Sequence, residues 1–104
     1  MLVVILRGGM DGLSAIAPVG DPTYASLRGR LALPASGDNA VLRLDDTFGL
    51  HKNLAHMHAL YGAGELLPIH ACATAYRERS HFDAQNVLET GAVAPFARTE
   101  GWLN

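Results

Sequence analysis

The hydrophobic pattern begins with five consecutive apolar residues, 2–6, which are β-branched at their centre. A continuous apolar run of this length is typical of a strand buried on both faces, such as a central parallel strand. Residues 66–73 form a second apolar run, with Pro68 near its start, where a missing backbone donor is tolerated. The pattern therefore predicts two buried strands.

Two other stretches show the spacing of helices. Residues 52–61 place their apolar side chains on one stripe and are followed by glycines. A second helix is predicted to begin at Ser80 and to end at Gly91. Strand, helix, strand and helix in this order favour a right-handed parallel βαβ unit. We therefore predict an α/β fold with a partial doubly wound, mainly parallel sheet flanked by helices.

Shorter elements are predicted between the first strand and the first long helix. Asp21 and Pro22 have the chemistry of a helix N-cap and first helical position, and this helix would stop at Gly29. Residues 31–33 and 41–44 flank a turn-forming stretch and are predicted to pair as a hairpin.

Composition excludes several classes of function. The chain has 104 residues, a net charge of −2 and no basic cluster, so we expect no nucleic-acid partner. No stretch approaches the roughly 18 apolar residues that would span a membrane. Charged residues make up only 17 % of the chain, which leaves an apolar surface, and we expect a homo-oligomer.

The single cysteine and the first residues of the chain bear on the cellular compartment of the protein. Cys72 excludes an internal disulfide and is interpreted as a small core residue. The first apolar run is preceded by no basic segment and contains no cleavage site, so the chain as written is expected to be cytoplasmic.

Asp11 is the first candidate for chemistry. It follows the first apolar run and a glycine pair, at the place where open α/β sheets hold their ligands. A carboxylate there is a candidate site residue. The structural alternative is that Asp11 caps a turn or a short helix that begins near Gly12. Both interpretations stay open.

Ser80 is the second candidate. With Asp83 three residues later it has the spacing of a capping box. The start of a helix also attracts anions, and Arg77 and Arg79 lie beside it in the sequence. A serine so placed could attack a phosphate or sulfate ester when a metal lowers its pKa. The candidate catalytic residues are therefore Ser80 and His81, and the candidate anion-binding residues are Arg77 and Arg79.

Five histidines invite a metal interpretation, but most of their spacings do not support one. His56 and His58 are two residues apart on a predicted helix and point in different directions. His70 lies in the second predicted strand, where it is either a hydrogen-bonded core residue or faces the same crevice as Asp11 and Ser80. His70 is therefore the histidine that remains a candidate ligand.

Six sequence blocks also carry a resemblance to a known family. The blocks cover residues 6–13, 20–24, 48–51, 69–71, 79–85 and 101–103. In this order they resemble the N-terminal part of the bacterial domain-of-unknown-function family number 1501. The Ser-His-Phe-Asp-Ala-Gln run that begins at Ser80 is the most specific of them.

The resemblance implies a place near the alkaline phosphatase and sulfatase superfamily. It implies a doubly wound α/β sheet, a metal-binding aspartate after the first strand and a nucleophile at a helix start. By position these would be Asp11 and Ser80, so that the candidate metal ligands are Asp11 and His70 and the candidate cofactor is a divalent metal ion. It further implies a parent protein exported by the twin-arginine route, with a small anionic ester as substrate.

The chain departs from this family in length. Members are several times longer, and the remaining metal ligands of the superfamily come from their later part. We therefore expect residues 1–104 to form a single truncated α/β domain that cannot complete a two-metal site. The leading hypothesis is a non-catalytic fragment of an exported metal-dependent phosphatase- or sulfatase-like hydrolase. The alternative is a small interaction module that associates with itself or with a protein partner, and a third possibility is a hydrolase that completes its site across an oligomer.

Overall fold

A computed structural model describes residues 2–6 and 10–103. The chain divides into two compact units. The first unit is Asp11–His70. The second combines residues 2–6 and 10 with residues 71–103. None of the helices in these described ranges is long and apolar enough to cross a membrane.

The first unit contains a small antiparallel sheet between short helices. Its elements in chain order are α1 (Gly12–Ala15), β1 (Ile16–Ala17), α2 (Tyr24–Arg28), a 3₁₀ turn (Gly29–Leu31), β2 (Leu42–Arg43), β3 (Gly49–Leu50), a second 3₁₀ turn (Lys52–Leu54) and α3 (Ala55–Gly62). The strand order is β1-β3-β2, so that Leu50 of β3 lies opposite both Ile16 and Leu42.

The core of this unit includes a residue of the sheet, Ala17 of β1. Ala17, Tyr24 and Val41 are buried together, and Val19 and Leu33 pack against them. The Tyr24 hydroxyl accepts a hydrogen bond of 3.1 Å from the Leu33 amide, so the buried phenol is satisfied.

Gly49 of β3 fits this core because it has no side chain. A Cβ at Gly49 would lie 2.3 Å from Val41 Cγ2. Such a contact is too short for carbon atoms, so the close packing of β3 against Val41 requires glycine.

The second unit contains α4 (His81–Thr90). Val87 and Thr90 of this helix are buried, together with Ala92. The Trp102 indole N–H donates to the Leu88 carbonyl at 2.6 Å, which ties the residues after α4 back to the helix. α4 ends at Gly91, which has a φ of +66°.

The predicted mainly parallel, doubly wound sheet is wrong. Among the described residues the sheet is antiparallel and is built from strands of two residues each. Residues 2–6 form no strand, and Leu2, Val4 and Leu6 are 89, 72 and 64 % exposed. Residues 66–73 also form no strand. An apolar run predicts burial, but a strand also requires a partner at the right register, which local hydrophobicity does not specify.

Two smaller predictions were also wrong. Residues 31–33 do not pair with residues 41–44, because β2 pairs with β3 and Leu31 ends a 3₁₀ turn. Cys72 is exposed instead of lying in the core.

The helices follow their sequence signals more closely. α4 has Ser80 as its N-cap and Gly91 as its C-cap, which confirms the prediction. α2 is capped at its end by Gly29 as predicted, but it begins at Tyr24, after Thr23 instead of Asp21. The helix predicted over residues 52–61 is a 3₁₀ turn followed by α3.

Candidate functional site

Asp11 lies in the first unit and is the N-cap of α1. One carboxylate oxygen accepts the Leu13 amide at 3.1 Å, and the other accepts the Ser14 hydroxyl at 2.8 Å. The Arg28 guanidinium forms an ion pair with the same carboxylate. The hydrogen bond from Ser14, followed by that from Arg28, holds the pKa of Asp11 below its ordinary value. Asp11 is therefore an ionised cap with a cationic partner.

This arrangement bears on the metal implied by the family resemblance. The Arg28 side chain is 18 % exposed and that of Asp11 is 47 % exposed, so the pair lies at the surface with the guanidinium turned inward. A divalent cation at Asp11 would have to displace Arg28 and the Ser14 hydroxyl. The residues around Asp11 do not fit a metal ion as they are arranged. The described part of the chain brings together no group of three or more histidine, cysteine, aspartate or glutamate side chains suited to one.

His70 belongs to the first unit as well. Its imidazole ring lies against the ring of Phe48, with centroids 4.1 Å apart and planes tilted by 33°. Asp45 is also in this neighbourhood, since the charge on His70 is one of the influences that lower the pKa of Asp45. The principal influences on that pKa are hydrogen bonds from the amides of Phe48 and Thr47. His70 is thus placed beside an aromatic ring and a carboxylate.

Ser80 lies in the second unit. Its hydroxyl oxygen accepts the Asp83 amide at 3.3 Å, and its carbonyl accepts the Ala84 amide at 3.0 Å. The Asp83 carboxylate accepts the Tyr76 hydroxyl at 3.4 Å. These contacts satisfy the start of α4 and confirm the capping interpretation of Ser80.

The other candidate residues of this unit lie around the start of α4. His81 is the first residue of the helix and lines an apolar cavity of about 430 Å³ with Ile5 and Leu88. Arg77 and Arg79 are exposed, and neither takes part in an ion pair with another described residue. Ser80, His81 and both arginines are therefore brought to the beginning of one helix.

Two residues of the observed site were missed by sequence reasoning. Arg28 pairs with Asp11 across 17 positions, and no local spacing indicates such a partner. Asp45 accepts the amides of Thr47 and Phe48 at 2.7 and 2.6 Å. The sequence does contain a signal for this second arrangement, because an aspartate that accepts the amide two residues later is the mark of an Asx turn.

Comparisons of the chain with protein-family models, with curated proteins and with solved structures found no match. The resemblance to domain-of-unknown-function family 1501 therefore stays a prediction that rests on the quoted sequence blocks. Its implications for metal, nucleophile, substrate and export enter below as proposals.

Proposed function

We propose that this chain is a non-catalytic portion of an exported, metal-dependent phosphatase- or sulfatase-like hydrolase. One observation supports the absence of catalysis in this proposal. The two residues that the resemblance pairs as metal ligand and nucleophile both serve as helix caps. Asp11 caps α1 and is paired with Arg28, and Ser80 caps α4. The resemblance of the six sequence blocks supports the rest of the proposal.

The chemistry of ester hydrolysis explains why a cap alone is insufficient. A serine hydroxyl becomes a useful nucleophile when a base or a metal ion takes its proton. The N-terminus of α4 would favour an anion at Ser80 by a modest amount, and the nearby Arg77 and Arg79 would add to it. Neither effect removes the proton from the hydroxyl. We therefore expect the chain by itself to hydrolyse neither phosphate nor sulfate esters.

An activity assay tests this expectation. p-Nitrophenyl phosphate and p-nitrophenyl sulfate are each incubated with the chain and with Zn²⁺, Mn²⁺, Mg²⁺ or Ca²⁺. We expect the wild-type chain to form p-nitrophenol no faster than the Ser80→Ala variant does. Turnover that requires a metal and is lost in Ser80→Ala would contradict the non-catalytic proposal.

A metal titration tests the role of Asp11. A cation that binds the folded chain at 100 times its dissociation constant raises the free energy of unfolding by about 2.7 kcal/mol. Because Arg28 neutralises Asp11, we expect no such rise for the wild type. The Arg28→Gln variant removes the guanidinium that is paired with the Asp11 carboxylate. Any rise in the free energy of unfolding that a metal causes in this variant should be lost when Asp11→Ala is added. A rise in the wild type that Asp11→Ala abolishes would support a metal site in this chain.

For the parent protein we propose a small anionic ester as the substrate class, a divalent metal ion as cofactor and export by the twin-arginine route. All three proposals are carried by the resemblance. Fractionation of cells that produce the parent protein tests the export, since the proposal requires the mature protein outside the cytoplasm.

A second candidate function is an interaction module that associates with itself. It is favoured by residues 2–6, whose five apolar side chains are all exposed. An exposed run of apolar side chains marks a surface that can associate with another chain. A second copy of the chain would cover it.

Light scattering over a range of concentrations tests the self-association. We expect the mass to rise with concentration and to return to that of the monomer in a Leu2→Lys, Val4→Lys, Leu6→Lys variant. The matched control is Leu27→Lys, Leu31→Lys, Leu67→Lys, which adds three lysines at exposed leucines of the other unit. A monomer at every concentration, or equal effects of the two variants, would count against this candidate.

A further inference from the structure

Residues 101–103 follow α4 in the chain and return to its C-terminal end. The Trp102 indole N–H donates to the Leu88 carbonyl at 2.6 Å, and the Leu103 amide donates to the Glu89 carbonyl at 3.3 Å. The last four carbonyls of a helix have no partner within the helix itself. Residues 101–103 therefore supply hydrogen-bond donors to two carbonyls at the end of α4.

Gly101 lets this segment approach the helix closely. A Cβ atom at Gly101 would lie 2.2 Å from Thr90 Cα and 2.5 Å from the Glu89 carbonyl oxygen. Both distances are too short for atoms that are not bonded, and both neighbours belong to the backbone, which cannot rotate away as a side chain can. The contact between residues 101–103 and α4 therefore requires glycine at position 101.

The contact is specific, but it buries little surface. The Trp102 side chain is 58 % exposed. A cavity of about 360 Å³ lies beside Trp102 and is also lined by Thr74, Leu88 and Val93. The indole ring therefore lacks neighbouring atoms over much of its surface. A segment with few buried apolar contacts opens at a lower free energy than the structure as a whole.

The connection between α4 and residues 101–103 is irregular. Residues 92–100 form turns and bends, and Val93 and Phe96 among them are 81 and 74 % exposed. The Phe96 amide donates to the Asn86 side chain at 2.8 Å, which holds the first part of the connection against α4. The shorter stretch from residue 97 to residue 100 can therefore reorient while this hydrogen bond and the helix stay in place.

We propose that residues 101–103 form a strap that binds and releases the end of α4 while the helix stays folded. In the bound state the strap caps the Leu88 and Glu89 carbonyls. Its release exposes both carbonyls and opens the cavity beside Trp102 to solvent. The strap is a conformational device of the second unit, and it depends neither on the proposed hydrolase relationship nor on self-association through residues 2–6.

Native-state hydrogen exchange of the full ¹⁵N-labelled chain tests the proposal in the wild type. The Leu103 amide reports release of the strap, and the Val87 and Leu88 amides report opening of α4. We expect the protection factor of Leu103 to be lower than those of the two helix amides by about tenfold or more. It should also change little in dilute urea, because release of three residues exposes little surface. Equal protection and equal urea dependence at all three amides would overturn the proposal.

A glycine variant tests the strap by preventing its contact with the helix. In Gly101→Ala the added Cβ meets the backbone of Thr90. Trp102 is the only tryptophan of the chain, so its indole N–H gives a single resonance. We expect this resonance to move to the position of a solvent-exposed indole, while the Val87 amide keeps its wild-type shift. Gly62→Ala, whose Cβ meets no atom within 4 Å, is the matched control and should leave the indole resonance unchanged.

Two results with this variant would contradict the strap. An indole resonance that does not move in Gly101→Ala would show that the close approach of Gly101 to Thr90 does not hold Trp102 in place. Loss of the α4 resonances together with the indole shift would show that residues 101–103 are an inseparable part of the folded helix.

Discussion

At the scale of single residues, Ser80 has two assignments that make different demands on its hydroxyl. As an N-cap the oxygen accepts the Asp83 amide, whereas as a nucleophile it must lose its proton. Ser80→Ala removes the cap and should lower the free energy of unfolding by about 1 kcal/mol. Ser80→Asp keeps a good capping oxygen and should restore most of that loss. Urea denaturation measures both variants, and equal destabilisation by both would contradict the capping role.

Three aspartates of the first unit make its stability sensitive to acid. Hydrogen bonds hold the pKa values of Asp11, Asp21 and Asp45 below their ordinary value of 3.8, and the largest contributions come from Ser14, Thr23 and the Phe48 amide, respectively. A carboxyl with a lowered folded pKa stabilises the folded state above the unfolded pKa, and this contribution is lost as pH falls through the folded pKa. We therefore expect the unit to lose stability below about pH 4.

Thermal unfolding between pH 7 and pH 2.5 checks this expectation. The triple variant Asp11→Asn, Asp21→Asn, Asp45→Asn should start with a lower melting temperature and lose less of it on acidification. The control variant Asp38→Asn, Asp46→Asn changes exposed carboxylates of the same unit and should follow the wild type. Parallel curves for the triple variant and the wild type would show that these three residues do not set the acid response.

The candidate site shows what sequence can predict at this scale. The caps at Asp11 and Ser80 were anticipated because their partners, Leu13 and Asp83, lie two and three residues away. Arg28 was not anticipated as a partner of Asp11, because the two are brought together by the fold of the first unit. Local spacing predicts the hydrogen bonds that a residue makes within its own turn. A partner that is distant in sequence can change whether that residue is available to bind a ligand.

At the scale of elements, Gly91 controls the end of α4. Its φ of +66° is strained for any residue with a Cβ, and that Cβ would meet only Trp102 Cδ1 at 3.8 Å, an ordinary contact. Gly91→Ala should therefore cost about 1 kcal/mol from backbone strain alone. Gly62→Ala, at the end of α3, places its Cβ in open space without a positive φ and should be neutral or slightly stabilising. Urea midpoints that move equally in both variants would contradict this account.

The same helix explains why the helices were predicted better than the sheet. The signals that bound α4, a serine before it and a glycine after it, act within one turn of the residues they cap. The strands β1, β2 and β3 are two residues long, too short for a two-residue alternation to be recognised. Their pairing joins Ile16 and Leu42 to Leu50, and such distant partners have no signature in a single sequence.

At the scale of the whole molecule, the two units differ in how the chain builds them. Asp11–His70 is continuous in sequence and contains the sheet, its buried core and three of the helices described. The other unit is assembled from segments that lie on either side of it in the chain. A continuous segment with its own buried core can fold without the rest, whereas a unit made of two separated segments must first close the intervening loop.

We therefore predict that residues 11–70 fold when produced alone. A chain of this length buries only about 60 % of its unfolded surface, so its stability should be marginal but its unfolding in urea cooperative. The ¹H–¹⁵N spectrum should be well dispersed, and the amides of Leu33 and Leu50 should keep the shifts they have in the full chain, because the Tyr24 hydrogen bond and the β3 pairing lie within this segment. Residues 71–103 produced alone are the comparison and should give a narrow spectrum. Narrow dispersion from residues 11–70 would show that their core is insufficient for folding by itself.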